Sequence, residues 1–212
     1  MKIDNLKSIL IKKMRILFKE KMNLESEGNI SLRFKDGFLI SQSALNPLNM
    51  KKENVIPIDF NGRYSIGANP SSEWKMHHSL YKSFKNANAI VHCHSNWASI
   101  LSCHRKKIPP FHYMVAEMGG DDVRCAKYAT FGTEKLARNV VNAIKKRKAC
   151  LISNHGQVTI GENIEEAMHL AFALEKLSKQ FYFCMLSNKY RLLSKSEMIE
   201  NISLFSSYKT KH

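Results

Sequence analysis

The chain has no C-x-x-C pair, and no run of apolar residues in it approaches the length needed to cross a bilayer. Its five cysteines, Cys93, Cys103, Cys125, Cys150 and Cys184, are odd in number and irregularly spaced. That argues against a disulfide framework and for a reduced, cytoplasmic setting. The opening M-K-I-D-N-L-K-S-I-L-I-K-K-M interrupts its apolar positions with lysines and offers no small-residue cleavage site, so a secretory leader is not expected. Internal repeats, low-complexity segments and linkers are missing as well. With 212 residues and 44% hydrophobic content, residues 1–212 are expected to form a single domain, with a mobile C-terminal tail at about 205–212.

Acidic residues are scarce: 18 against 33 lysines and arginines, for a net charge of +15. The excess favours anionic partners, among them nucleic acid, an acidic membrane surface and phosphorylated metabolites. The basic residues are scattered (Lys12-Lys13, Lys51-Lys52, Lys106-Lys107, Lys145 to Lys148), and no aromatic-basic motif accompanies them. Neither a specific nucleic-acid site nor a membrane anchor is expected. A small phosphorylated substrate remains.

Helical spacing of Ile3, Leu6, Ile9, Leu10, Leu17 and Phe18 predicts an amphipathic helix over 3–22. The alternation in G28-N-I-S-L-R-F-K-D-G-F-L-I-S41 predicts a hairpin turning at Asp36-Gly37. A second hairpin is expected in V55-I-P-I-D-F-N-G-R-Y64, turning at Asn61-Gly62, with Pro57 assigning it to a sheet edge. Pro70-Ser71-Ser72-Glu73 reads as a helix start, with serine caps and Glu73 in the first turn. Strands follow at 89–94 and 149–153, and helices at 97–103, 134–147 and 164–187, the last opened by an Asn163/Glu166 capping box. The tail reads as less regular. Without steady βαβ alternation, the fold class is α/β with a mixed, mostly antiparallel sheet covered by helices.

The strand at 89–94 ends in H-C-H. Side chains alternate along a strand, so His92 and His94 share a face, roughly 6–7 Å apart, while Cys93 points the other way. Two such imidazoles can reach one tetrahedral cation, or they can simply be hydrogen-bonded at a sheet edge. A metal site needs further donors. His155, at the end of another predicted strand, and Glu73, at a helix start, are candidates, each with an ordinary structural alternative. His77, in E-x-x-x-H with Glu73, ranks lower because spacing does not tie it to the strand histidines. Gly28-Asn29 and Ser71-Ser72 have the chemistry of a phosphate cradle, namely close backbone approach, an amide donor, and hydroxyls at a helix N-terminus.

In this order the stretches G28-N-I-S-L-R, D36-G-F-L-I-S-Q-S-A44, P70-S-S-E-W-K-M-H77, A89-I-V-H-C-H-S95, I108-P-P-F-H-Y-M114, Y128-A-T-F-G-T133 and N154-H-G156 resemble the class II aldolase/adducin family, and within it the L-fuculose-1-phosphate aldolase branch. The resemblance implies a three-layer α/β/α domain. It implies one Zn2+ per subunit held by His92, His94, His155 and Glu73, with Glu73 also the acid/base and Tyr113 a second catalytic group. Phosphate would be held by Gly28, Asn29, Ser43, Ala44, Ser71 and Ser72, and the aldehyde positioned by Ser26, Phe131 and Tyr208. Tyr113 and Phe131 would enter from a neighbouring subunit of a homotetramer. The implied reaction is reversible cleavage of a ketose 1-phosphate, with L-fuculose 1-phosphate as first choice. The products would be dihydroxyacetone phosphate and an aldehyde, L-lactaldehyde in that case, by way of a zinc-stabilised enediolate. The alternatives are a methylthioribulose-1-phosphate dehydratase, another 5-deoxypentulose-phosphate aldolase and, last, a non-catalytic adducin-type interaction module. Three departures stand out: Ala44 replaces a glycine, and Ser26 and Ser43 replace threonines.

Overall fold

The computed structural model describes residues 2–209, except the side chains of Tyr208 and Lys209. The aldehyde-positioning role expected of Tyr208 therefore lies outside the described residues. Strands β1 (Asn29–Phe34), β2 (Gly37–Ser41), β3 (Val55–Asp59), β4 (Ala89–Cys93), β5 (Cys125–Ala126), β6 (Ala149–Ile152) and β7 (Gly156–Gly161) form one seven-stranded sheet in the order β3-β2-β1-β4-β7-β6-β5. Only the β5–β6 pairing is parallel, so the sheet is mixed and mostly antiparallel.

Helices α1 (Ile3–Lys19), α2 (Trp74–Ser83), α3 (Asn96–Cys103), α4 (Glu134–Ile144), α5 (Ile164–Ser187) and α6 (Lys195–Lys209) cover the sheet. Alternation along β4 sorts the core into layers. Ile90 packs with Met76 and Leu80 of α2 and Leu136 and Val140 of α4. Ala89, Val91 and Cys93 face the other way, onto Leu10, Met14 and Leu17 of α1 and Ala167 and Ala171 of α5. Cys93 is fully buried, and burial pushes its thiol pKa far up, so it is an inert core residue.

The predicted second hairpin does not form. After β3 the Asp59 carboxylate accepts from the backbone N–H groups of Asn61 and Arg63, and Asp59 N–H donates to the Arg63 carbonyl. These bonds close the chain on itself, so Asn61-Gly62 makes a turn without a returning strand. Pro57 does sit on an edge, because β3 is the outermost strand. The irregular tail is also corrected: residues 195–209 form α6, started by a reciprocal box in which Glu197 N–H donates to Ser194 Oγ (3.2 Å) and Ser194 N–H to Glu197 Oε2 (2.6 Å). The first helix ends three residues early, since Lys21 takes a left-handed φ of 57°. The lysines after Ile144 lie beyond α4 rather than in its last turn.

Ala44 occupies the left-handed region, with φ 52°. Its Cβ meets steric opposition there of about 1–2 kcal/mol. Ala44→Gly is therefore expected to leave stability unchanged or raise it by up to ~1 kcal/mol, the entropy of the unfolded glycine offsetting part of the relief. Urea unfolding checks this; a loss of more than ~1 kcal/mol, the usual cost of glycine, would show that the left-handed backbone is unstrained.

Candidate active site

Strand pairing places the first two groups. Asn29 on β1 lies directly opposite His92 on β4, so both project from the same face. His94 follows one residue past the end of β4. His155 sits in the turn joining β6 to β7, after Asn154 in a left-handed conformation (φ 53°). Gly156 lets that turn close on β4: a Cβ there would stand 2.3 Å from the Cys93 carbonyl oxygen. Glu73 immediately precedes α2 and is 5% exposed. Of the two roles the sequence leaves open, helix-start carboxylate and metal donor, its side chain takes the second position, turned inward to the histidines.

The four side chains converge. His94 Nε2 lies 3.0 Å from His92 Nε2 and 2.9 Å from His155 Nε2. Glu73 Oε2 lies 2.7 Å from His92 Nε2, and its Oε1 3.6 Å from His155 Nε2. One donor atom from each of the four residues falls within 4.8 Å of all the others. His92 Nδ1 is 2.8 Å from the Gln157 carbonyl, to which it must donate, so its Nε2 is the atom turned to the centre. Glu73 Oε1 is buried and has no hydrogen-bond partner among the described residues. An orphaned carboxylate oxygen facing three imidazole nitrogens is a set of donors that fits a divalent cation.

Electrostatics agree with that reading. Burial works to raise the pKa of Glu73, but the charge on His92 and its hydrogen bond hold the carboxyl well below the usual range. Burial opposes protonation of His92, yet the neighbouring carboxylate outweighs it and raises the pKa. Burial and the charge on His92 lower His94 to about 3 and His155 to about 4. The proton that bridges His92 and Glu73 occupies the place of a cation, and cation binding would release it.

The buried His77 and the part-buried His94 and His155 thus stay neutral in the fold, with pKa values of about 3, 3 and 4, whereas unfolded histidine titrates near ~6.5. The unfolded chain binds more protons between those limits. The cation-free protein is expected to hold this stability in full above ~pH 6.5 and lose it progressively as pH falls towards 4. His92, whose pKa is raised, contributes in the opposite sense, its stability being lost as pH rises through its folded pKa. A urea midpoint for chelator-treated protein that is clearly lower at pH 5 than at pH 7.5 is the expected result; equal midpoints would contradict it.

Three members of the cluster, Glu73, His94 and His155, line a cavity of about 460 Å³. Ser26, Gly28, Asn29, Ser43, Ala44, Ser71, Ser72 and Phe131 all line this cavity together with Glu73, His94 and His155. Gly28 has φ +63°, and a Cβ there would overlap the Asn23 side chain, whose Oδ1 accepts from His94 N–H. Phe131 lines this cavity in its own chain. Tyr113 is not among the lining residues: it is half-exposed and stacks on His112 and Phe205. The sequence reading missed Glu27, Gln42 and Tyr128, which also line the cavity. Tyr128 lay inside the Y-A-T-F-G-T stretch and Gln42 inside D-G-F-L-I-S-Q-S-A; Glu27 lay outside every such stretch. The described residues contain no helix long and apolar enough to cross a membrane.

Known proteins share this architecture. The family described as "Class II Aldolase and Adducin N-terminal domain" matches residues 9–182. The chain is 42% identical to the L-fuculose phosphate aldolase of Haemophilus influenzae, over 88% of this chain and 87% of that protein. It is 36% identical to the 5-methylthioribulose-1-phosphate/5-deoxyribulose-1-phosphate aldolase of Rhodospirillum rubrum, over 88% of this chain and 85% of that protein. A solved L-fuculose 1-phosphate aldolase superposes with a TM-score of 0.91 at 32% identity, covering 95% of this chain and 96% of the other. Sequence, fold and donor cluster together place the chain in the class II aldolase and adducin family, as an aldolase of the lyase class.

Proposed function

We propose that this chain cleaves a ketose 1-phosphate between carbons 3 and 4, releasing dihydroxyacetone phosphate and an aldehyde, with L-fuculose 1-phosphate and L-lactaldehyde as the first assignment. The observation that carries it is a single cavity lined by Ser43, Ser71 and Ser72 together with Glu73, His94 and His155, the last three of which converge with His92. A helix start and serine hydroxyls suit a phosphate. His92, His94, His155 and Glu73 would hold one Zn2+, a borderline cation that accepts mixed nitrogen and oxygen donors. When bound, the cation polarises the substrate's oxygens and stabilises negative charge as the carbon–carbon bond breaks.

The chain's own groups move the protons. In cleavage, the hydroxyl on carbon 4 loses its proton, carbon 4 becomes the aldehyde carbon, and the bonding pair passes to carbon 3. Tyr113 takes part in proton transfer at the carbon 4 oxygen, reaching it from a neighbouring subunit of a homotetramer. The carbon 4 hydroxyl proton passes on to solvent, and carbon 3 takes a proton from Glu73 in its protonated form, which has drawn one from solvent. In the reverse direction Glu73, held ionised, removes that proton from dihydroxyacetone phosphate. Gly28, Asn29, Ser43, Ala44, Ser71 and Ser72 bind phosphate, while Ser26, Phe131 and Tyr208 position the aldehyde portion. Residues 1–212 act as one domain of a cytoplasmic enzyme.

Similarity to the Rhodospirillum rubrum enzyme favours a second reading, in which the substrate is a 5-deoxypentulose phosphate. Release of dihydroxyacetone phosphate from L-fuculose 1-phosphate, 5-deoxyribulose 1-phosphate and 5-methylthioribulose 1-phosphate, with and without chelator, separates the two. Chelator-sensitive release fastest from the first supports the assignment. Release fastest from either of the others transfers it, and no release from any overturns the aldolase reading.

A further inference from the structure

A file of buried polar side chains leads away from Glu73, and the chemistry proposed above uses only its first member, Asn29. Asn29 Nδ2 lies 3.4 Å from Glu73 Oε2, and Asn29 Oδ1 is hydrogen-bonded to His77 Nε2. His77 Nδ1 is 2.6 Å from Ser31 Oγ, which is 2.9 Å from the Tyr81 hydroxyl. Ser31, His77 and Tyr81 are 0% exposed, so bulk solvent does not reach them.

The chemistry of the ends sets the direction of every proton. An ionised carboxylate only accepts, so Asn29 gives it an N–H and must turn its carbonyl oxygen to His77. His77 Nε2 therefore carries a proton. Burial, reinforced by the charge on His92, lowers the His77 pKa to about 3, so the ring is neutral and Nδ1 offers a lone pair. Ser31 fills it by donating and in turn accepts from Tyr81, whose hydroxyl burial keeps protonated. Each donor in the file points towards Glu73. Reversal of the Asn29 amide would set its oxygen against the carboxylate and leave two acceptors facing each other.

We propose that His77 is a positioning residue: through its Nε2–H it holds the Asn29 amide in the one orientation that gives one N–H to Glu73 and presents the second to an anionic oxygen of the substrate. The inference rests on the roles assigned above to Glu73 and Asn29, and it joins them. The group that binds phosphate also orients the acid/base, so substrate binding and proton transfer share one amide. Asn29 both touches Glu73 and lines the cavity, as this sharing requires.

Two polar substitutions separate positioning from a purely structural role. In His77→Gln the side-chain amide reaches the place of Nε2 and can still donate to Asn29. In His77→Asn the shorter amide keeps only the Ser31 side. The readouts are kcat and KM for exchange of the carbon 3 proton of dihydroxyacetone phosphate in cation-loaded protein, calorimetric affinity for inorganic phosphate, and the melting temperature. His77→Asn is expected to lose ~10–100-fold in kcat and to bind phosphate more weakly, while His77→Gln stays close to wild type in both. A structural role predicts that the two variants differ only in melting temperature. Equal kcat and equal phosphate affinity for the two variants, high or low, overturns the inference while leaving the aldolase reading standing. A wild-type protein that neither exchanges the proton nor binds phosphate overturns both.

Discussion

Glu73→Gln suppresses proton exchange at carbon 3 of dihydroxyacetone phosphate by ~10²–10⁴-fold, the range typical of a positioned acid/base, while the protein stays folded. The substitution is nearly isosteric. Its amide oxygen can still accept from Asn29 Nδ2, and three imidazoles remain at the centre, so cation content and phosphate affinity are expected to stay near wild type. What is lost is the group that can carry the proton. Removal of the carboxylate also removes the partner that raises the His92 pKa, so in cation-free protein His92 should titrate lower than in wild type. Exchange monitored by NMR in D2O gives the answer directly: an unchanged rate removes Glu73 as the base, whatever happens to the histidine.

Much of this site was legible because its parts obey local rules. The period of a strand was enough to put His92 and His94 on one face with Cys93 in the opposite core layer, and the structure has them so. Other parts depend on tertiary contacts that no local pattern encodes. The inward turn of Glu73 requires α2 to start beside β4, which is a matter of packing; local pattern leaves both of its roles open. His77 looked like a weak ligand candidate because its partners, Asn29 and Ser31, come from a strand about 46 residues away. The failed hairpin shows the opposite error, an Asn-Gly turn read correctly but with no strand available to complete it. β7 was overlooked because its six residues fall between the His155 turn and the Asn163 cap, two stronger signals. The S-K-S-E box that opens α6 was present in the sequence and unread.

His155→Ala is expected to empty the cation site with little disturbance of the fold. Its backbone is held independently of the imidazole, since His155 N–H donates to the Ile152 carbonyl at 3.0 Å and lies 3.1 Å from Ser102 Oγ. Loss of one of four convergent donors should weaken cation affinity by more than the ~10–100-fold typical of an outer partner. Release of dihydroxyacetone phosphate should fall with it and return in part at high added Zn2+. His94→Ala should behave alike, because its Nε2 is the one that touches both other rings. Full cation occupancy and wild-type turnover in His155→Ala would mean that this imidazole only packs against its neighbours.

The account depends most on one cation being shared by His92, His94, His155 and Glu73. X-ray absorption at the zinc edge of the loaded wild-type protein tests it most directly. The predicted result is one zinc per chain with three imidazole nitrogens and an oxygen at ~2.0–2.2 Å. A first shell containing sulfur at ~2.3 Å, or fewer than two imidazoles, would contradict it.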